Sequence, residues 1–424
     1  MTIIASDLLA AAVNRLPQDA LAPVRKAALA QFSEHGFPTL RDEDWKYTNL
    51  QQAIDLSNAW LESGSPTTTE ATLSSDAERA VSSIRDNVDA NWILIANGTA
   101  EFVSFPGIDV AKLSDNARTA SIIANDQMTS FNAALLQDGL RATIQASADS
   151  ARPLGFLLVD EPGNLTQARL IIDVEAGVEI DIIEAHVSTG PDPQFANTVI
   201  QLIVDSGARV GYVRVQERAG THLQVGRLIA ALEKDAQLDY ASFDFGGSLI
   251  RNDVFVDLRG PGATATLHGL YLAGDRQHID NHTRIDHRTG PAVSREEYRG
   301  ILSGRARCVF NGKVIVHEGA DGTDAEQSNH NLLLSETAEI DTKPELEIYA
   351  DDVKCAHGAT VGQLDRAALF YLRSRGLDRD EASQLLTRAF AARILSASPV
   401  PQAHDLIGTI TDRRLNALID GEVP

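Results

Sequence analysis

Cysteine is nearly missing from this chain of 424 residues: Cys308 and Cys355 are the whole supply. Two thiols leave no disulfide framework to staple the fold. Basic residues are short as well, with 37 Lys and Arg against 59 Asp and Glu and a formal charge of -22. A field of that sign repels phosphate backbones and anionic lipid, so neither nucleic acid nor a membrane surface is an expected partner. No apolar run reaches the roughly 20 residues of a membrane span. The first basic residue, Arg15, comes too late for the basic head of a signal peptide, so a cytoplasmic protein is expected. No Gly-x-x-x-x-Gly-Lys-Ser/Thr loop occurs and no Gly-x-Gly-x-x-Gly opens a helix, which removes the motif basis for P-loop ATP hydrolysis and for a dinucleotide site.

What is present suits a globular chain of two or three domains with a large core: 43% of residues are hydrophobic and 23% charged. Residues 1–165 read as a helical and mixed amino-terminal region. From Leu8 to about Phe32 apolar residues fall near helical spacing, and Pro17 and Pro23 are expected to break the run. Trp45 sits among charges in Arg41–Thr48, where a large aromatic serves better as an anchor over the next domain than as a surface recognition patch. Ser63–Ser75, rich in Ser, Thr, Gly and Pro, reads as a loop or linker. Trp92–Ala96 reads as a buried strand before the turn Asn97-Gly98, and Asn116 to about Leu140 as a helix.

From Arg169 the character changes. Short alternating runs recur at Leu170–Val174, Val178–Val187, Thr198–Val204, Ala208–Val215, Leu223–Leu232, Val254–Leu258, Ala263–Leu272 and Lys313–Val316, separated by turns such as Glu175-Ala-Gly177 and Asp205-Ser-Gly207. Strands about ten residues apart fit a sandwich, a barrel or a solenoid. The length of the stretch favours stacking, because one sandwich rarely needs so many strands. Residues 166–362 are therefore a mainly β core of β-solenoid type. Helical spacing returns over 363–424, with Asp378 as a cap and Leu385, Leu386 and Phe390 in one apolar stripe. Such helices suit either the covering of an open solenoid end or the docking of a partner.

The densest chemistry lies in Asp341–Asp365. Glu345, Glu347 and Tyr349 alternate with Leu346, Ile348 and Ala350 as a half-buried strand would, Asp351-Asp352 offers a turn, and Cys355-Ala-His357-Gly358 follows. In an extended chain the thiol and imidazole point the same way about 6.6 Å apart, close enough to face one shared ligand, and Gly358 lets the backbone bend. Thiolate and imidazole are both good iron ligands. Lys354 would lower the thiol pKa and Asp351 and Asp352 would raise it. A buried structural cysteine is the competing reading, since Val353 shares its parity.

Asp341–Gly362, with Ser294–Leu302 and Asp42–Thr48 upstream, strongly resembles the SufB/SufD family of SUF iron–sulfur cluster assembly proteins, and its SufD branch in particular. The resemblance covers most of the chain. It implies a right-handed parallel β-helix, a scaffold subunit that is not itself an enzyme, a β-helix interface with a SufB paralogue, and carboxy-terminal helices that bind the ATPase SufC. It also admits a homodimer when the chain is isolated. His357 would stand at the interface opposite a SufB cysteine, with Cys355 beside it, while Leu377, Leu385, Leu386 and Phe390 would serve docking. Two thiols cannot hold a cluster that usually takes about four ligands, so iron or a transient cluster would be shared with the partner.

The other histidines carry less. His278 and His282 share a strand face about 13 Å apart and His287 has the opposite parity, so a solvated strand or a partner-facing edge is preferred to a metal site. His317 and His330 stand as single polar residues, and Cys308 as a small buried hydrophobe beside Phe310. Two rival functions remain. One is a carbohydrate-active β-helix enzyme using Asp351 and Asp352 as acid and base, against which stand aromatics of only 5%. The other is an interaction module without chemistry.

Overall fold

A computed structural model of the chain describes residues 4–64, 73–115, 123–163 and 165–420. The helices α1 (Ser6–Arg15), α2 (Ala22–His35), α3 (Gln51–Glu62) and α4 (Ser75–Asn87) come first. The mixed segment follows with β1 (Asn91–Ala96), β2 (Thr99–Ala100), β3 (Ile108–Lys112), α5 (Gln127–Ala134), β4 (Leu140–Ile144) and β5 (Leu154–Asp160). Then come β6 (Leu165–Val174), β7 (Glu179–Ser188), β8 (Phe195–Val204), β9 (Arg209–Glu217), β10 (Leu223–Leu232), β11 (Gln237–Asp244) and β12 (Leu249–Leu258). The series closes with β13 (Thr264–Ala273), β14 (His278–His287), β15 (Val293–Leu302), β16 (Arg307–Val316), β17 (Asp324–Leu333), β18 (Glu339–Ile348) and β19 (Lys354–Gly362). Three helices end the chain: α6 (Arg366–Ser374), α7 (Arg379–Leu395) and α8 (His404–Asp420).

From β4 onward the chain alternates between two sheets. Odd-numbered strands join a ten-stranded sheet that runs from β2 to β19, and even-numbered strands join a nine-stranded sheet that runs from β3 to β18. Each strand pairs in parallel with the strand two later, as in β13 with β15, where Thr264 meets Val293. This is a β-solenoid of about eight turns. The turns are set by glycine where the sequence placed it: Val178 N–H bonds Glu175 O and Ala208 N–H bonds Asp205 O, with Gly177 and Gly207 at φ of 71° and 69° in the third position.

Period-two alternation sends one set of side chains between the sheets. Ile182, Leu202, Val256, Leu267, Phe310 and Val314 belong to that buried interior. The opposite sets are covered by helices. Leu165, Phe195, Leu223, Val225 and Leu249 of the nine-stranded sheet pack with Phe32, Ile54 and Phe131 of the amino-terminal helices. Val213, Phe243, Leu270 and Ile301 of the ten-stranded sheet pack with Ile84 of α4 and with Ala391, Ile394, Ile407 and Ile410 of the carboxy-terminal helices. Trp45 is the expected anchor: it is buried, and the Arg251 guanidinium lies 4.1 Å from its ring centroid.

Several expectations change. Pro23 opens α2 instead of breaking it, because a missing N–H costs nothing in a first turn. Of Asn116–Leu140, residues 116–122 lie outside the described set. Among the described residues of this stretch, helix is confined to α5, capped by Asp126, whose Oδ1 accepts from Met128 and Thr129. Pairing of Leu140 with Leu170 ends the helical stretch there. The linker expected at Ser63–Ser75 falls mostly in the undescribed residues 65–72. The carboxy-terminal helices do not cover the solenoid end; α7 runs along the outer face of the ten-stranded sheet, where Arg299 stacks on Phe390 at 4.9 Å and Arg393 meets Glu297 at 3.2 Å.

The interior is keyed by two reciprocal contacts. Gly269 pairs with Tyr298 and Tyr271 with Gly300, and each tyrosine ring lies across the bare glycine of the neighbouring turn. A Cβ on Gly269 would lie 2.1 Å from Tyr298, and one on Gly300 would lie 2.3 Å from Tyr271. Gly300→Ala is therefore expected to destabilise the chain by roughly 1–3 kcal/mol through overpacking. Denaturant unfolding, with Gly358→Ala as the control where nothing lies within 4 Å of the added Cβ, measures the difference.

Candidate functional site

The last turn of the solenoid is uncovered. Among the described residues β18 pairs only with β16, and β19 only with β17, so each presents a free backbone edge. Where β16 and β17 alternate buried residues along their length, β18 is half-exposed and β19 mostly exposed. Ile348, Tyr349 and Val361 are among the exposed large apolar residues here. An edge of this kind is a template for another strand.

Cys355 and His357 sit on β19, on the side that continues the interior. The register stacks Cys355 on Ala325 and His357 on Gln327, both buried residues of β17. Cys355 is half-buried and packs against the apolar interior, whereas His357 is exposed because no further turn lies above it. Gly358 does not bend the chain as expected: β19 runs unbroken through it. Burial raises the Cys355 thiol, and the carboxylate that adds to the shift is Asp324 of the adjacent strand. Asp351 and Asp352 instead occupy an exposed turn. A thiol so placed stays protonated at neutral pH until a metal or a neighbouring cation displaces the proton. Among the described residues, no three His, Cys, Asp or Glu side chains converge to hold a metal ion.

Residues 156–390 match the family model of the SUF system FeS cluster assembly SufBD core domain, and residues 9–60 match that of the SufBD protein N-terminal region. The chain belongs to the SufBD family. It is 30% identical to the iron–sulfur cluster assembly protein SufD of Escherichia coli K12 over 88% of each chain. It is 26% identical to the protein of the same name in Bacillus subtilis, covering 68% of this chain and 67% of that one. A SufBD family protein of Synechocystis is 32% identical over 65% of this chain and 63% of its own.

In this SufBD chain the expected docking residues separate. Leu385 is 48% exposed, Leu377 and Leu386 are half-buried, and Phe390 is held under Arg299 against the β-helix. The stronger apolar surface is on α6, which buries none of its residues; Phe370 is 75% and Tyr371 57% exposed. A groove of about 530 Å³ beside it is lined in part by Leu334, Leu364, Leu369 and Leu418.

The histidine strand departs from expectation. β14 is not a free edge, because it pairs with β12 and β16, and it is not solvated, because the segment around Trp45 covers its outer face. Thr48 Oγ1 lies 2.8 Å from His278 Nε2, and buried Asp280 lies 2.6 Å from Arg251 and 3.0 Å from His282. These contacts hold the Asp280 carboxyl below its usual range against the burial that would raise it. His287 faces inward, bonds Ser294 at 2.9 Å, and is lowered by burial to about 4. Cys308 is fully buried, as expected, and its thiol is pushed up by burial. A cavity of about 740 Å³ lies above this strand. Its cations are paired, Lys313 with Glu347 at 2.6 Å and Arg227 with Asp253 at 2.7 Å.

The reading by sequence missed the polar residues inside the solenoid. Tyr212 donates to Glu184 at 2.6 Å, Arg214 pairs with Asp244 at 2.8 Å, and Asn252 bridges Asp244 to Asn281 at 3.0 and 2.9 Å. Nearer the open end, Gln327 Nε2 donates to Glu296 Oε2 at 2.7 Å. The signal was parity: Glu184 and His186 share the inward phase of Ile180 and Ile182.

Burial raises Glu296 from 4.5 to about 7. Its folded pKa lies above the unfolded one, so its contribution to stability is complete below about pH 4.5 and is lost as pH rises through about 7. Glu296→Gln, which imitates the neutral acid, should flatten that part of the stability profile by on the order of 3 kcal/mol between pH 5 and 8. Denaturant titrations of both proteins at the two pH values test this.

Proposed function

We propose that this SufBD protein is the SufD-type scaffold subunit of a SUF iron–sulfur assembly complex, contributing donor atoms but no turnover of its own. The observation that carries the reading is the uncapped last turn. It presents two free strand edges and, on the same rung, a thiol and an imidazole with no third protein donor converging on them among the described residues. A SufB-like paralogue ending in the same way would pair its edges with β18 and β19 and supply the remaining ligands. Iron or a nascent cluster is then cargo, shared at the junction, with His357 as the leading donor and Cys355 beside it. In the absence of the paralogue, a second copy would take the same edges.

The carboxy-terminal helices are the proposed seat of a SufC-type ATPase. Phe370 and Tyr371 of α6 and Leu385 of α7 give an apolar surface that the chain itself leaves open, and α7 transmits its position to β15 through Arg299 and Phe390. The carbohydrate-enzyme reading gains no support, since Asp351 and Asp352 lie side by side in an exposed turn.

Two experiments test the proposal. In a reconstituted SufB–SufC complex, His357→Ala is expected to lower cluster formation at least tenfold without changing the elution of the complex; undiminished assembly would refute the donor role. Phe370→Asp with Tyr371→Ser should abolish co-elution with the ATPase while leaving pairing with the SufB paralogue intact, and unchanged co-elution would remove the helices from that role.

A further inference from the structure

Directly beneath His357 lies a buried acceptor with nothing to accept. One inward column of the ten-stranded sheet runs Tyr240, Leu267, Glu296, Gln327, His357, each residue in register with the next. Adjacent members are about 4.8 Å apart along the column. The Gln327 amide is fixed from two sides. Its Nε2 donates to Glu296 Oε2 at 2.7 Å, and the same nitrogen packs on Gly312 of the facing sheet, where a Cβ would lie 2.1 Å from it. That leaves Oε1, which is buried and without a hydrogen-bond partner. Buried carbonyl oxygens are rarely left so, and each one calls for a reason.

We infer that Gln327 is the positioning residue for His357, its Oε1 receiving the ring N–H opposite the nitrogen that binds iron. This rests on the reading of His357 as a donor. A metal-bound imidazole has one nitrogen on the metal and a proton on the other, and that N–H almost always finds an acceptor which fixes the tautomer and the ring plane. The neighbouring side chains of β19 carry no oxygen or nitrogen acceptor: Cys355 and Ala359 share the face of His357, and Ala356 and Gly358 lie on the other. The rung below offers a single buried oxygen that has no hydrogen-bond partner of its own. An exposed histidine on an edge strand is otherwise free to rotate, and a shared site at a junction between chains needs it in one orientation.

The inference is tested in the complex with a SufB-type paralogue by titrating Fe²⁺ alone, with no sulfur source, against the parent, Gln327→Ala, Gln327→Glu and His357→Ala at pH 6.5. Gln327→Ala should weaken Fe²⁺ binding about 10- to 100-fold. Gln327→Glu, which keeps an oxygen in place and can accept from the neutral Glu296 carboxyl, should bind within about threefold of the parent. Equal weakening by Ala and Glu, or no weakening by Ala while His357→Ala removes the site, would overturn the role of Gln327 alone. Unchanged binding in His357→Ala would overturn the donor reading beneath it.

Discussion

Parallel hydrogen-bonding from turn to turn is the constraint on which everything else in this protein depends. Each strand satisfies its backbone only through the strand one turn before and one turn after, so a ladder of this kind has no natural stopping point. At the amino-terminal end the chain closes it with antiparallel neighbours, β2 on β1 and β3 on β4. At the other end none of the described residues closes it. The helices that follow β19 turn back onto the sheet face, and the final rung keeps its donors and acceptors on offer.

That asymmetry gives the Cys-Ala-His stretch its meaning. In the middle of the solenoid the same residues would be interior, like Cys308, whose thiol is closed off by apolar neighbours. On the last rung they keep the inward orientation of an interior pair without being sealed. The pair is thus held by a rigid sheet yet open to whatever is added above it. On the proposed reading, incomplete coordination within one chain would let a protein of cluster assembly both hold its cargo and release it.

Much of this was legible from side-chain alternation. Many of the solenoid strands, the glycine turns at Gly177 and Gly207, the anchoring by Trp45 and the interior place of Cys308 follow from local pattern, because a two-residue period and a positive φ leave little choice, whereas β11, β15 and β17, with polar residues at inward positions, do not stand out in it. What could not be read was where faces meet. Nothing in His278–His287 announces that the segment around Trp45, more than 200 residues away, covers it. Nor does the amphipathic stripe of α7 say whether it will lie over a sheet end or along a sheet face. The unpaired oxygen of Gln327 is of the same kind: parity places the side chain inside, but only the opposing Gly312 and Glu296 fix its amide.

The central claim, that the open rung is a junction waiting for another chain, is tested most directly by hydrogen–deuterium exchange over residues 339–362. In the dilute isolated protein the amides of β18 and β19 that face away from β16 and β17 should exchange rapidly, and in the complex with a SufB-type paralogue they should become protected. Rapid exchange there that persists unchanged in the intact complex would contradict the account.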